Sequence, residues 1–200
     1  MQIRSTYSHT ILSKELMFMF DTDNRSKRIL FMSHCLLNQN AKLDHLASRP
    51  GALPLVMGEI INSGVGIVQM PCPELLGLGI DRQCVKDTTI DDIKSEKTRI
   101  SKLMANQKQL CVDLAKHVIL QLKQYKKYNF EIVGILGVNM SPTCGVETTW
   151  ADDQEVVGNG IFIKTLKEEL AKENIQINFT GIIPPQIEDS VKRVKSFLKK

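Results

Sequence analysis

Three cysteines stand where a core-filling thiol has no reason to be. Cys35 lies in Ser33-His34-Cys35-Leu36-Leu37, Cys72 in Pro71-Cys72-Pro73-Glu74, and Cys144 in Ser141-Pro142-Thr143-Cys144-Gly145. Each follows an apolar run instead of sitting inside it, and two of the three are framed by proline or glycine. Three thiolates that converge can hold zinc with an open fourth position or carry an iron–sulfur cluster. They can also serve as redox thiols, or be unrelated core and turn cysteines. The residue types alone leave these alternatives open. The other two cysteines differ. Cys111 falls on the apolar stripe of a helical pattern and reads as core. Cys84, in the polar stretch Asp81-Arg82-Gln83-Cys84, lacks such framing and carries little signal, although from a polar loop it could reach the same site.

The elements that must position these residues follow from periodicity. Apolar runs at 28–34, 65–70, 130–138 and 175–183 read as four strands. Helical patterns fall at 53–64, ending at Gly64, at 160–174 and at 188–198. A single long helix capped by Asp91 or Asp92 is expected to run through Ile100, Met104, Cys111, Ala115, Val118 and Leu122. Strands that alternate with helices imply right-handed crossovers and a parallel sheet. The expected fold is therefore α/β: a Rossmann-like three-layer domain with a mostly parallel four-stranded sheet. The C-terminal strand ends of such a sheet share one edge, where ligand sites of open α/β folds form. Cys35, Cys72 and Cys144 follow strands one, two and three, so topology brings all three to one rim. Pro71, Pro73, Pro142 and Gly145 suit sharp turns there.

With 200 residues, one domain over 26–200 is expected, preceded by an extension at 1–25 outside the fold; Met17 or Met19 is an alternative start. The net charge of +4 is too small to argue for nucleic acid, and much of the excess sits in the last helix. No apolar run approaches the ~20 residues of a membrane span, and Leu16–Phe20 is too short for a signal peptide. Five cysteines without a secretory signal do not form a disulfide framework, so a reducing cytoplasm is the expected setting.

At these residues the chain resembles the thiouracil desulfidase family, and more closely a related desulfidase branch. The motifs are Cys35-Leu36-Leu37, Cys72-Pro73-Glu74 and Ser141-Pro142-Thr143-Cys144-Gly145, in order, over residues 26–183. The resemblance implies a [4Fe-4S] cluster held by Cys35, Cys72 and Cys144, with one iron free of protein ligands. It implies hydrolytic removal of sulfur from a small thiocarbonyl compound such as a thiolated nucleobase, with Glu74 as catalytic acid–base group and Ser141 as its hydroxyl partner. The chain departs from the family at Asn38–Asp44 and at Leu75–Arg82, and Thr143 replaces a serine. These loops would shape the substrate pocket, so the cluster is better founded than thiouracil as substrate.

The bland roles of these residues stand beside the functional ones. Glu74 is equally suited to a helix N-terminus or a salt bridge, and Ser141 to bonding its own turn. His34 could support a ligand cysteine or lie on the surface. Asn38 and Asn40 offer amides to a planar ring but are common turn-formers. Asp81-Arg82 could bind a carbonyl or phosphate, or be an ordinary surface pair. Asn139 stands at the rim. The competing function is a non-hydrolytic iron–sulfur or zinc protein in sulfur relay or electron transfer; a third is an interaction module without chemistry.

Overall fold

The computed structural model describes residues 23–43, 45–83 and 93–199. Cys84, Asp91, Asp92 and most of the 1–25 extension lie outside the described residues. The apolar runs form the strands expected of them: β1 (Arg28–Met32), β2 (Gly66–Gln69), β3 (Glu131–Val138) and, after a hairpin of β4 (Thr148–Ala151) and β5 (Gln154–Val157), β6 (Phe179–Ile182). The main sheet has the order β2-β1-β3-β6, and every pairing in it is parallel.

The chain steps outward from β1 to β2, then returns to the far side of β1 for β3. Right-handed crossovers in opposite directions put their helices on opposite faces. Helix α2 (Pro54–Asn62) accordingly packs with α7 (Ile187–Leu198), whereas α5 (Lys108–Lys127) packs with α6 (Ile161–Lys172). The three-layer α/β expectation holds. Leu30, Phe31, Met32, Ile135 and Leu136 are fully buried between the layers. The reversal of direction lies between β1 and β3, and there the crevice of an open parallel sheet opens.

The register of β1 on β3 jumps at one point: Ile29 pairs with Ile132 and Leu30 with Gly134. Gly134 has φ +152°, and a Cβ there would meet the carbonyl of Asn178 at 2.5 Å and crowd the Phe197 ring. Glycine is needed at this bulge for conformation and for the close approach of α7.

Two expectations need correction. The single long helix is two: α4 (Ile93–Ala105) and α5, parted at Asn106-Gln107. Met104 and Cys111, both fully buried, stand seven positions apart, so the apolar stripe runs through the break unaltered and periodicity carries no trace of it. Second, only Phe179–Ile182 of the apolar run 175–183 is strand.

The β4–β5 hairpin has no alternating apolar signature. Its turn residues Asp152 and Asp153 both have positive φ, +49° and +59°, as a two-residue turn of this kind requires. The hairpin docks on α4: the Asp153 N–H donates to Thr98 Oγ1 (2.9 Å), and the Lys97 ammonium lies 4.2 Å from the centre of the buried Trp150 ring. It thus carries α4 to the C-terminal edge of the sheet.

Candidate active site

The three strand-end cysteines meet at one cavity of about 220 Å³, lined also by Glu74, Arg82 and Ser141. Cys35 lies in the short helix α1 (His34–Leu37) directly after β1. Its carbonyl accepts from the buried Gln39 side chain (2.6 Å), whose Oε1 accepts in turn from the Ser48 N–H (3.0 Å). Gln39 therefore ties the Cys35 turn to the following loop.

Cys72 is the N-cap of helix α3 (Pro73–Leu78), with Pro73 at the first helical position, where its missing N–H costs nothing. The Cys72 sulfur accepts from the Leu75 N–H at 3.5 Å. Glu74 falls in the first turn of the same helix.

Cys144 sits in the most constrained of the three loops. The Val138 N–H donates to the Cys144 carbonyl (2.9 Å), and the Gly145 N–H to the Ser141 carbonyl (3.1 Å). The first N–H groups of α6, on Ile161 and Phe162, donate to the carbonyls of Pro142 and Thr143, both at 3.0 Å. The loop thus satisfies the helix start, and the helix start fixes the loop. Gly160 makes this approach possible, because a Cβ there would lie 2.5 Å from the Thr143 carbonyl carbon.

Ser141 fills the bland role and lines the cavity as well. Its Oγ accepts from the N–H of Thr143 (3.2 Å) and of Cys144 (3.0 Å). Both lone pairs are thereby engaged, and the hydroxyl proton remains to be given away. Asn139, buried at the rim, is a loop organiser: its Oδ1 accepts from the N–H of Val146 (3.2 Å) and Glu147 (3.1 Å).

Glu74 likewise fills both bland roles, since it stands at a helix N-terminus and pairs with Arg82. The Arg82 Nε donates to Glu74 Oε2 at 3.3 Å. The expectation that Asp81-Arg82 is a surface pair, or binds substrate, fails for Arg82. Its side chain is 1% exposed, and its remaining donors are spent on the carbonyls of Ala41 (2.5 Å), Gly79 (2.5 Å) and Ile80 (3.2 Å) and on the Cys72 sulfur (3.9 Å). A buried guanidinium needs such saturation. Asp81 is exposed and bonds the Gln83 N–H (3.0 Å).

Asn38 and Asn40 are exposed turn-formers: Asn38 Oδ1 accepts from the Asn40 backbone (3.1 Å) and side chain (3.0 Å), and neither lines the cavity. His34 faces Gln69 through Nδ1 (3.0 Å), and burial holds its pKa below the usual value, with Arg82 adding to the effect.

Burial dominates the thiol chemistry. It pushes Cys35 up to about 12, and raises Cys72 and Cys144 as well. The neighbouring thiols and Glu74 add to the rise at Cys35 and Cys144, as expected of groups that share one site. Such thiols resist ionisation unless a cation takes the proton's place. Among the described residues His34 Nε2 and Thr143 Oγ1 are buried without a partner, and Ser33 Oγ has none but the Cys144 thiol. Ser33 lies close enough to the Cys144 thiol to offset a little of its rise. Among the described residues no three of His, Cys, Asp and Glu are grouped to hold a single metal ion. Cys111 is apart, buried in the core on α5.

Comparison with known proteins adds kinship. Over 153 residues the chain is 31% identical to the uncharacterized protein MJ0003 of Methanocaldococcus jannaschii, covering 76% of this chain and 84% of the archaeal one. The two belong to one family. No family model matches the sequence, and no solved structure matches it.

The shared region is wide enough that the family relation concerns most of the fold and not a single motif. Sequence reasoning passed over Gln39, Lys42 and Lys97. Lys42 and Lys97 both line the cavity. Lys42 stands in the loop that departs from the desulfidase pattern, and Lys97 reaches the cavity only because the hairpin seats α4 there. Neither carries a motif that could have marked it. Among the described residues no helix is long and apolar enough to cross a membrane.

Proposed function

We propose that this protein is an iron–sulfur-dependent desulfidase that takes sulfur from a small thiocarbonyl compound, a thiolated nucleobase being the type. The observation that supports the reading is the convergence of Cys35, Cys72 and Cys144 with Glu74 on one cavity. The donor set suits a [4Fe-4S] cluster: three soft thiols on one cavity, with the hydroxyl of Thr143 left without a partner among the described residues. When bound, the cluster would supply an iron without a protein ligand, soft enough to attract a thiocarbonyl sulfur.

The chain's own residues manage water and protons. The exchange of C=S and water for C=O and hydrogen sulfide is redox-neutral, so it needs a base and a donor but no electrons. Glu74 takes a proton from the attacking water. Arg82 fixes its Oε2 and so orients the carboxylate; among the described residues Oε1 accepts no hydrogen bond and is left for the water. Ser141, with both lone pairs occupied by N–H groups, orients the substrate by donating its proton. The apolar side chains of Leu43, Leu46, Met140 and Ile183 line the rest of the cavity, which suits a flat heterocycle.

The test is an anaerobic iron and acid-labile sulfide analysis, followed by sulfide release from thiolated pyrimidines, purines and thioamides. Wild type and Cys111→Ser should load the cluster and Cys72→Ser should not. Glu74→Gln should keep the cluster and lose ~10²–10⁴-fold in turnover, the usual cost of removing a general base. A reconstituted wild-type chain without iron or labile sulfide sinks the proposal. A loaded chain that turns over none of these compounds leaves sulfur relay or electron transfer as the function.

A further inference from the structure

The main sheet has two edges, and the chain treats them differently. In a parallel ladder, alternate residues turn both backbone groups toward the same neighbour. The Asn139 N–H donates to the Ile182 carbonyl, so Ile182 faces β3 and Gly181 faces outward from β6. Both outward groups of Gly181 are occupied. Its N–H donates to the two carboxylate oxygens of Glu147 (3.2 and 3.0 Å), and its carbonyl accepts from Arg193 Nη1 (3.3 Å). Side chains thus block the β6 edge against another strand.

The β2 edge has no such cover. The Met70 N–H donates to the Met32 carbonyl, which turns Gly66, Val68 and Met70 toward β1 and leaves Ile67 and Gln69 facing outward. Among the described residues the backbone N–H and carbonyl groups of Ile67 and Gln69 have no hydrogen-bond partner. No lysine, proline or bulge guards Gly66–Gln69. The surroundings are also short of charge. Between Arg49 and Glu74 the one charged residue is Glu59, in a chain of which 24% is charged. Glu59 is already paired with Lys195 of α7 at 3.1 Å. That pair marks the flank of α2 turned toward α7, which packs on β6. Ile61, two residues further and about 200° around the helix, lies on the opposite flank, toward β2. It is 66% exposed.

We infer that the β2 edge pairs with the β2 edge of a second copy of this chain, across a two-fold axis normal to the sheet. With the axis at Val68, Ile67 of each copy stands opposite Gln69 of the other. Antiparallel residues so placed exchange both N–H···O bonds, and every outward group of Ile67 and Gln69 is satisfied. The same axis lays the two α2 helices side by side on one face, with their Ile61 flanks turned to each other. A two-fold sets a surface against itself, so any charge there would meet its own kind. A neutral edge suits a second copy and offers no charge with which to select a foreign strand. The blocked β6 edge stops the pairing from running on, so the assembly closes as a dimer. The interface also touches the wall of the cysteine site: Gln69 Nε2 lies 3.0 Å from His34 Nδ1, beside Cys35. Pairing would stiffen that wall.

The test uses the full-length chain with its thiols kept reduced. Analytical ultracentrifugation at on the order of 100 µM should show a species of twice the 22.6 kDa chain, which dissociates on dilution. Gln69→Pro removes an outward N–H that the single chain does not use, and Ile61→Lys sets like charges against each other. Both variants should sediment as folded monomers. In the wild type, amide exchange at Ile67 and Gln69 should slow about ten-fold or more between dilute and concentrated protein. A chain that stays monomeric at the higher concentration overturns the inference; if its Ile67 and Gln69 amides are already protected, the chain itself covers the edge. A dimer that leaves these amides as fast as in the dilute chain, or that persists in both variants, is built on another surface and overturns it as well. Where a variant fails to fold or the two disagree, exchange in the wild type decides.

Discussion

Arg82 Nε and Glu74 Oε2 lie 3.3 Å apart, with the arginine side chain 1% exposed and the glutamate side chain 17% exposed. The same guanidinium donates to Ala41 in the loop after Cys35 and to Gly79 at the end of the helix that Cys72 caps. One side chain therefore ties two of the cysteine loops and the proposed base to each other.

Arg82→Met should be among the most damaging single changes in the chain. It leaves a partly buried carboxylate and several carbonyls without partners, and breaking such a pair from one side costs ~3–5 kcal/mol. The urea midpoint measures this. Arg82→Lys should recover only part, since an ammonium cannot reach all the acceptors of a planar fork. Full recovery with lysine would mean that charge alone matters.

Ser141→Ala removes the acceptor shared by the N–H groups of Thr143 and Cys144. A buried donor left unsatisfied costs ~1–3 kcal/mol. The variant should therefore lose stability even in metal-free protein, where no catalytic role is at stake. An unchanged urea midpoint would show that water replaces the hydroxyl.

Gly160→Ala tests the contact between α6 and the Cys144 loop. The added Cβ would press on the Thr143 carbonyl carbon at 2.5 Å and the Gly145 nitrogen at 2.8 Å, and backbone cannot swing aside as a side chain can. Overpacking of this kind costs ~1–3 kcal/mol. The Cys144 thiol should be displaced with it, so iron content after reconstitution should fall more than for Gly58→Ala, where a Cβ meets nothing.

The metal-free chain should weaken in alkali. Burial raises Cys35 to about 12 and Cys111 to about 11, against 9.0 for an ordinary thiol, with Cys72 and Cys144 raised as well. The folded state keeps protons that the unfolded chain releases. Stability from these groups is fully present below pH ~9 and is lost as pH rises through the folded values. Urea midpoints at pH 7, 9 and 10.5, taken under reducing, anaerobic conditions, should fall across that window. Cys111→Ala should shallow the decline; an identical slope would place its thiol in contact with water.

The sheet and the meeting of the cysteines were legible because they rest on coarse features. Four apolar runs and three following cysteines need only a parallel topology to converge, and parallel topology follows from alternating strands and helices. What stayed hidden depends on tertiary contacts. Arg82 looks like any loop arginine until Ala41 and Glu74 surround it. The break at Asn106-Gln107 preserves the helical phase, so no spacing betrays it. The Asp152-Asp153 turn joins strands with little apolar alternation, and Lys97 acquires its place only through that hairpin.

Cys35 and Cys144 are 109 positions apart in the chain, and β3, which brings Cys144 in, must cross to the far side of β1. Contacts so distant in sequence form slowly, because the intervening chain must be ordered first. A nascent chain that has emerged as far as α5 carries Cys35 and Cys72 but lacks the third thiol. The loop that presents Cys144 is itself braced by α6, which is made later still. The three-thiol pocket is thus a late product of biogenesis: whatever fills it must be delivered to a nearly finished protein and not to a growing one.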